Sequence, residues 1–305
     1  MAAIKNQLEY INAMVQSDPQ RLVAAAEARY ANIIANIAGK VRGVHGHKLV
    51  LLAGPSASGK TTTAQKLADG LGAQDVSAHR ISLDDFYLPA ERLPRLPDGT
   101  PDIESVHALD LPLLRETLRR LMETGSGDIP HFKFGAGGRT RFDPLEIGPE
   151  DTIVLEGLHA LHPEITAHTG FPEEAVTKVY VSVASRIYNH REIVINKRNL
   201  RLVRRILRDH QFRNSGAANT IEMWPAVTKG EELWLTPCKP NADFLINSIH
   251  IYEPCVFAAR VLPLLEAVPD AGAAVRLTKA LRRFAPLPEG IVPPDSLLRE
   301  FLGNA

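Results

Sequence analysis

The sequence predicts an α/β fold: a doubly wound, mostly parallel sheet behind an N-terminal helical extension. Short apolar runs alternate along the chain with segments of helical periodicity, the pattern of a sheet covered by helices on both faces. A glycine-rich turn joins the first of these runs directly to a helical segment. The 305 residues, 45% hydrophobic and 23% charged, supply enough apolar matter for a sizeable core.

Residues 1–46 read as helices. Ile4, Leu8, Ile11 and Val15 recur at helical spacing, and Ser17-Asp18-Pro19 opens a second helix towards Ile37. Such a pair serves packing or a partner contact more readily than chemistry. Residues 47–285 carry the alternating pattern and form the main domain. Within it 48–53, 153–155, 179–183 and 244–246 read as buried strands, and 61–71, 108–123 and 200–210 as helices. Residues 286–305 are proline-rich, then close in a short helix near Ser296–Leu302 packed on the main domain, with Asp295 as its expected cap.

Thirty-five basic residues balance 35 acidic ones, which argues against a nucleic-acid partner. The two cysteines, Cys238 and Cys255, lack CxxC spacing, so they read as buried thiols of a reducing compartment. The stretch to Tyr10 has no apolar run and no segment approaches about 18 apolar residues, so neither a secretory leader nor a membrane span is expected. The expected location is the cytoplasm, and a homo-oligomer is open.

Gly54-Pro55-Ser56-Ala57-Ser58-Gly59-Lys60-Thr61 fits GxxxxGK(S/T), the P-loop pattern, between a strand and a helix. Glycines let the backbone close on phosphate oxygens, and the helix N-terminus adds partial positive charge. Gly54, Ser56, Ala57, Ser58, Gly59, Lys60, Thr61 and Thr62 are therefore expected to hold a nucleoside triphosphate. Lys60 reaches the outer phosphates, and the Thr61 hydroxyl ligates Mg²⁺. Residues 80–87 form a strand ending in Asp84 and Asp85, the first of them 24 positions after Lys60. Strand C-termini line the ligand crevice of such sheets, so Asp84 can serve as base for an attacking hydroxyl, or the pair can simply cap a turn. Glu156, ending the strand Ile153–Leu155, is the second expected Mg²⁺ ligand.

In order, GPSASGKTT, SLDDFY, a Pro-aromatic-x-Phe stretch, VLEGLHAL and RLVRRILRD resemble the uridine kinase and phosphoribulokinase family of P-loop kinases. WPAVTKGEE (224–232), ADFLINS (242–248) and LLREFLG (297–303) bring the chain near bacterial uridine-kinase-like nucleoside kinases, and the likeness covers about residues 46–303. The resemblance implies Asp84 as general base, Tyr87 beside the substrate and Glu104 on ribose hydroxyls. It implies base contacts from the run holding His131, Phe132 and Phe134, with Arg139 nearby. Phe132 stands where relatives carry Tyr and Lys133 where they carry an acid. The same aromatics would also suit a hairpin packed on the core, and Glu104 a solvated loop.

The resemblance further implies a lid helix in which Arg201, Arg204, Arg205 and Arg208 close over the phosphates, Arg205 among the catalytic groups. A solvated basic face is the plainer reading of such a run. Asn196-Lys197-Arg198-Asn199 replaces a Thr-Thr-Asp-like approach, so an acid that would position an arginine or the sugar is missing and the acceptor pocket is expected to be altered or weakened. His159 and His162 read as turn or core residues, and Trp224 and Trp234 as packing. The implied activity is transfer of the γ-phosphate of ATP to a small-molecule hydroxyl, foremost the 5′-hydroxyl of uridine or cytidine. Another alcohol, such as a sugar phosphate or a pantothenate-like molecule, and a catalytically weak ATP-binding regulatory module are the alternatives.

Overall fold

The computed structural model describes residues 6–133, 138–268 and 272–303. Helices α1 (Leu8–Ser17) and α2 (Pro19–Arg42) are separated by Asp18, whose carboxylate accepts the Arg21 N–H while Pro19 starts the new helix. Strand β1 (Lys48–Ala53) runs through the glycine-rich loop into α3 (Lys60–Gly72). Then β2 (Ala78–Ser82) passes into a 3₁₀ turn, Leu83–Phe86. Helix α4 (Leu111–Thr124) starts later than its periodicity predicts because Asp110 caps it, accepting the Leu113 N–H. Hairpin β3 (Ser126–Lys133) and β4 (Gly138–Glu146) follows, then β5 (Thr152–Glu156), the short α5 (Pro163–Thr166) and β6 (Val176–Ser182).

A second hairpin, β7 (Ile187–Asn189) and β8 (Glu192–Ile195), leads to α6 (Lys197–Phe212). Asn196 caps α6 by accepting the Asn199 N–H. Helix α7 (Ala217–Gly230) continues into a π-helical turn, Glu231–Leu235, before β9 (Phe244–Asn247), α8 (Glu253–Glu266), α9 (Gly272–Leu281) and α10 (Arg299–Leu302). Asp295 does not cap the last helix: it pairs with Lys66 at 2.9 Å, and the Ser296 hydroxyl accepts the Leu298 N–H instead.

The central sheet has five parallel strands in the order β2-β5-β1-β6-β9. Side chains alternate between its faces, so β1 divides its burial. Leu49 and Leu51 join Ile153, Leu155 and the apolar stripe of α4 on one face. Val50 and Leu52 join Val154, Val179 and Val181 on the other, with α2, α3, α6 and α8 above them. Leu8, Ile11 and Val15 of α1 and Leu22 to Val41 of α2 belong to this second cluster, so the N-terminal helices share the core of the sheet. Parallel pairing puts the C-terminal ends of β1, β2 and β5 at one edge, where Leu52, Ser82 and Glu156 stand in register. Among the described residues no helix is long and apolar enough to cross a membrane.

Candidate active site

Backbone sterics build the loop between β1 and α3. A Cβ on Gly54 would lie 2.2 Å from the Val181 carbonyl oxygen, so only glycine fits. Gly59 has φ +89°, and Ala57 is held at φ +56°, a strained value for a residue with a side chain. Left-handed residues spaced along a loop turn successive N–H groups inward, and the N-terminus of α3 adds its partial charge. The Ser58 hydroxyl is buried with no hydrogen-bond partner. Lys60 Nζ folds back to the Pro55 carbonyl at 3.2 Å. A buried, unpartnered hydroxyl in a loop of this backbone shape suits a polyphosphate.

Beside the loop, Glu156 Oε1 lies 3.4 Å from Thr61 Oγ1 and 3.3 Å from Ser82 Oγ. Burial pushes the Glu156 carboxyl up to about 7; Lys60 opposes this and Asp84 adds to it. Hard oxygen donors of this kind, a hydroxyl and a carboxylate at the foot of the cradle, suit Mg²⁺. Asp84 stands one residue into the 3₁₀ turn, exposed to the crevice, with its N–H on Ser82 Oγ. Asp85 turns away: it accepts the Phe132 N–H at 3.1 Å and ties β3 to the turn.

The opposite wall holds Tyr87, whose hydroxyl donates to the Ile103 carbonyl and whose ring lies 6.0 Å from that of Phe132. Glu104 is drawn in because Gly230 has no side chain: a Cβ there would meet Glu104 Cβ at 2.6 Å. Burial, then the neighbouring Glu231, pushes the Glu104 carboxyl up to about 7, against Arg205 and Lys60. His131 is engaged within its hairpin, with Nε2 2.9 Å from Asp143, and Arg139 pairs at 2.7 Å with the capping Asp110. Phe134 lies outside the described residues. His159 is buried, and burial with His162 nearby lowers its imidazole to about 3.

Helix α6 does not present its four arginines alike. Arg205 donates to Ser56 Oγ at 2.9 Å and pairs with Asp209, and Arg208 lies 3.5 Å from the same hydroxyl. Arg201 donates to the Ser56 carbonyl, stacks on Trp224 and forms a two-pronged pair with Glu231, both contacts at 2.7 Å. Arg204 points under the loop. It is fully buried, paired through two nitrogens with Glu253 at 2.6 and 2.9 Å, within 3.4 Å of the Ala57 and Ser58 carbonyls, and over the Phe301 ring. This geometry makes Arg204 a buttress under the loop, in contrast to its expected place in the lid.

Two carboxylates stand out to which the sequence assigns no role, although both lie within the runs 224–232 and 297–303. Glu231, in the π turn, accepts the Ser56 N–H at 2.7 Å besides holding Arg201. It positions an arginine from another element, and its sequence trace is its place in the run WPAVTKGEE. Glu300 accepts both the Thr62 N–H (3.3 Å) and the Thr62 hydroxyl (2.8 Å). Thus Lys60, Thr61, Asp84 and Glu156 share one crevice edge, Tyr87, Phe132 and Glu104 face it, and three arginines converge on Ser56.

The family model described as "Phosphoribulokinase / Uridine kinase family" matches residues 49–253. The chain is 28% identical to a uridine kinase of Lactobacillus johnsonii over 199 residues, 65% of this chain and 85% of the relative. It is 27% identical to a uridine kinase of Deinococcus deserti over 67% of this chain and 89% of that one. In fold it is similar to a candidate fructose transport system kinase of Silicibacter sp. TM1040, with a TM-score of 0.50 and 23% identity over 70% of this chain and 98% of that chain. The match across two thirds of the chain, from the first strand to the start of α8, shows that it belongs to the phosphoribulokinase / uridine kinase family of P-loop kinases acting on small-molecule alcohols.

Proposed function

We propose that this kinase transfers the γ-phosphate of ATP to the 5′-hydroxyl of a pyrimidine nucleoside. The observation that carries this reading is the meeting of Lys60, Thr61, Asp84 and Glu156, from three separate elements, at one crevice edge opposite Glu104. The uridine kinases among the relatives support the acceptor class. Thr61 and Glu156 would hold Mg²⁺, which when bound offsets phosphate charge. Asp84 takes the proton of the acceptor hydroxyl as its oxygen attacks the γ-phosphorus and the bond to the bridging oxygen breaks, releasing ADP. Arg205 and Lys60 stabilise the charge that spreads over the transferring group, and positioning supplies much of the rate. Glu104, ionised above about 7, accepts hydrogen bonds from ribose hydroxyls. Buried, unpaired Cys238 and Cys255 suit the reducing cytoplasm.

A different alcohol is the second reading. It is favoured by His131 and Arg139, both bound to internal carboxylates rather than directed at a base. ADP release measured with Mg²⁺-ATP against uridine, cytidine, other nucleosides, ribulose 5-phosphate and pantothenate separates the two. Stimulation by uridine or cytidine supports the first reading, and stimulation only by a non-nucleoside replaces it.

A further inference from the structure

The cradle has two ends. At the Ser56 end stand Arg205, Arg208 and Glu231. At the other end both polar groups of Thr62 face one acceptor, the Glu300 carboxylate. A triphosphate laid with its transferring group at Ser56 leaves the loop at Thr62, and a carboxylate on that N–H and hydroxyl stands where an anionic phosphate oxygen would stand. From Thr62 a groove of about 690 Å³ opens between α2, α3 and residues 294–300. This lies within the range of small-ligand sites, roughly 300–1,000 Å³.

The groove exists because its walls are small. Ala31 and Ala35, one helical turn apart and both exposed, form the α2 side, with Ile34 beneath them. Gln65 and Lys66 on α3, and Ser296 across from them, offer polar contacts. The Tyr30 hydroxyl bonds Thr63 Oγ1 at 2.6 Å, which fixes Ala31 at the level of the first turn of α3, beside Thr62. Two of the three walls, α2 and the C-terminal segment, lie outside the residues 49–253 that the family model matches.

We propose that this groove receives the nucleoside of the triphosphate, and that the α-phosphate displaces Glu300 from Thr62. The inference rests on the loop's reading as a triphosphate cradle, and the test keeps the two apart by titrating the full chain with Mg²⁺-ATP and with Mg²⁺-tripolyphosphate, which has no nucleoside. Ala31→Trp and Gln65→Trp fill the groove from opposite exposed walls. They should weaken ATP about tenfold or more while leaving tripolyphosphate within about twofold. Asn32→Trp, exposed on α2 outside the groove, should change neither. Glu300→Gln, which removes the competing charge, should tighten both ligands several-fold. ATP affinity unchanged in both tryptophan variants, or equal weakening of ATP and tripolyphosphate, overturns the groove. Equal or weaker binding in Glu300→Gln overturns the displacement. A wild-type chain that binds neither ligand overturns the cradle, and the groove with it.

Discussion

Replacing Arg204 by methionine separates a buttress from a lid. Arg204 and Glu253 are both fully excluded from solvent and share two hydrogen bonds, so removing the guanidinium leaves a carboxylate buried with its main partner gone. Breaking such a pair from one side costs about 3–5 kcal/mol. At about 2.1 cal/mol/K per residue, a chain of 305 residues has an unfolding entropy near 0.6 kcal/mol/K, so the melting temperature should fall by about 5–8 °C. Replacing Glu253 by leucine in the same chain removes the stranded charge and should restore part of the loss, a coupling that a double-mutant cycle reads directly. Arg205→Met is the contrast: it should cost about 1 kcal/mol, because Asp209 keeps Arg208, Arg213 and Thr220 nearby, while kcat falls about 10²–10³-fold. Differential scanning calorimetry and steady-state kinetics on the two variants suffice. An Arg204→Met protein that melts within about 1 °C of wild type yet loses kcat would refute the buttress and return Arg204 to the lid.

Two pH effects follow from the buried acids. The folded protein raises the Glu156 carboxyl from 4.5 to about 7, chiefly by burial, so this group's stabilising proton is fully present below pH 4.5 and lost as pH rises through 7. Glu156→Gln should therefore raise the thermal stability of the ligand-free protein at pH 8, by at most roughly 3 kcal/mol, and by nothing at pH 4. Glu104 is also raised to about 7, so acceptor KM should rise as pH falls below 7. In Glu104→Gln that pH dependence should vanish and KM stay high.

Much of this site was legible because its elements are local. Five contiguous apolar residues, Leu49 to Ala53, a glycine-rich turn and a helical stripe dictate β1, the loop and α3, and the acids at the end of β5 and just past β2 follow from strand geometry alone. The roles of the arginines were not legible. Helical spacing says that Arg201, Arg204, Arg205 and Arg208 recur, but α6 is covered on several sides, by the loop, by α7 and by α8. Which neighbour each arginine meets is a tertiary fact. Glu231 and Glu300 were hidden for the same reason: 175 and 238 residues separate them from their partners Ser56 and Thr62. The late start of α4 shows a smaller failure, where periodicity ran on through residues that the Asp110 cap excludes.

The measurement that bears most directly on phosphoryl transfer at this edge is acceptor-stimulated ADP release by Asp84→Asn, set beside ATP binding by calorimetry. Asp84 is exposed in the crevice and donates its backbone N–H to Ser82, so the substitution disturbs neither the loop nor the sheet. A base at Asp84 requires kcat to fall about 10²–10⁴-fold in this variant, with ATP affinity within about twofold of wild type. Unchanged turnover in that variant would contradict it.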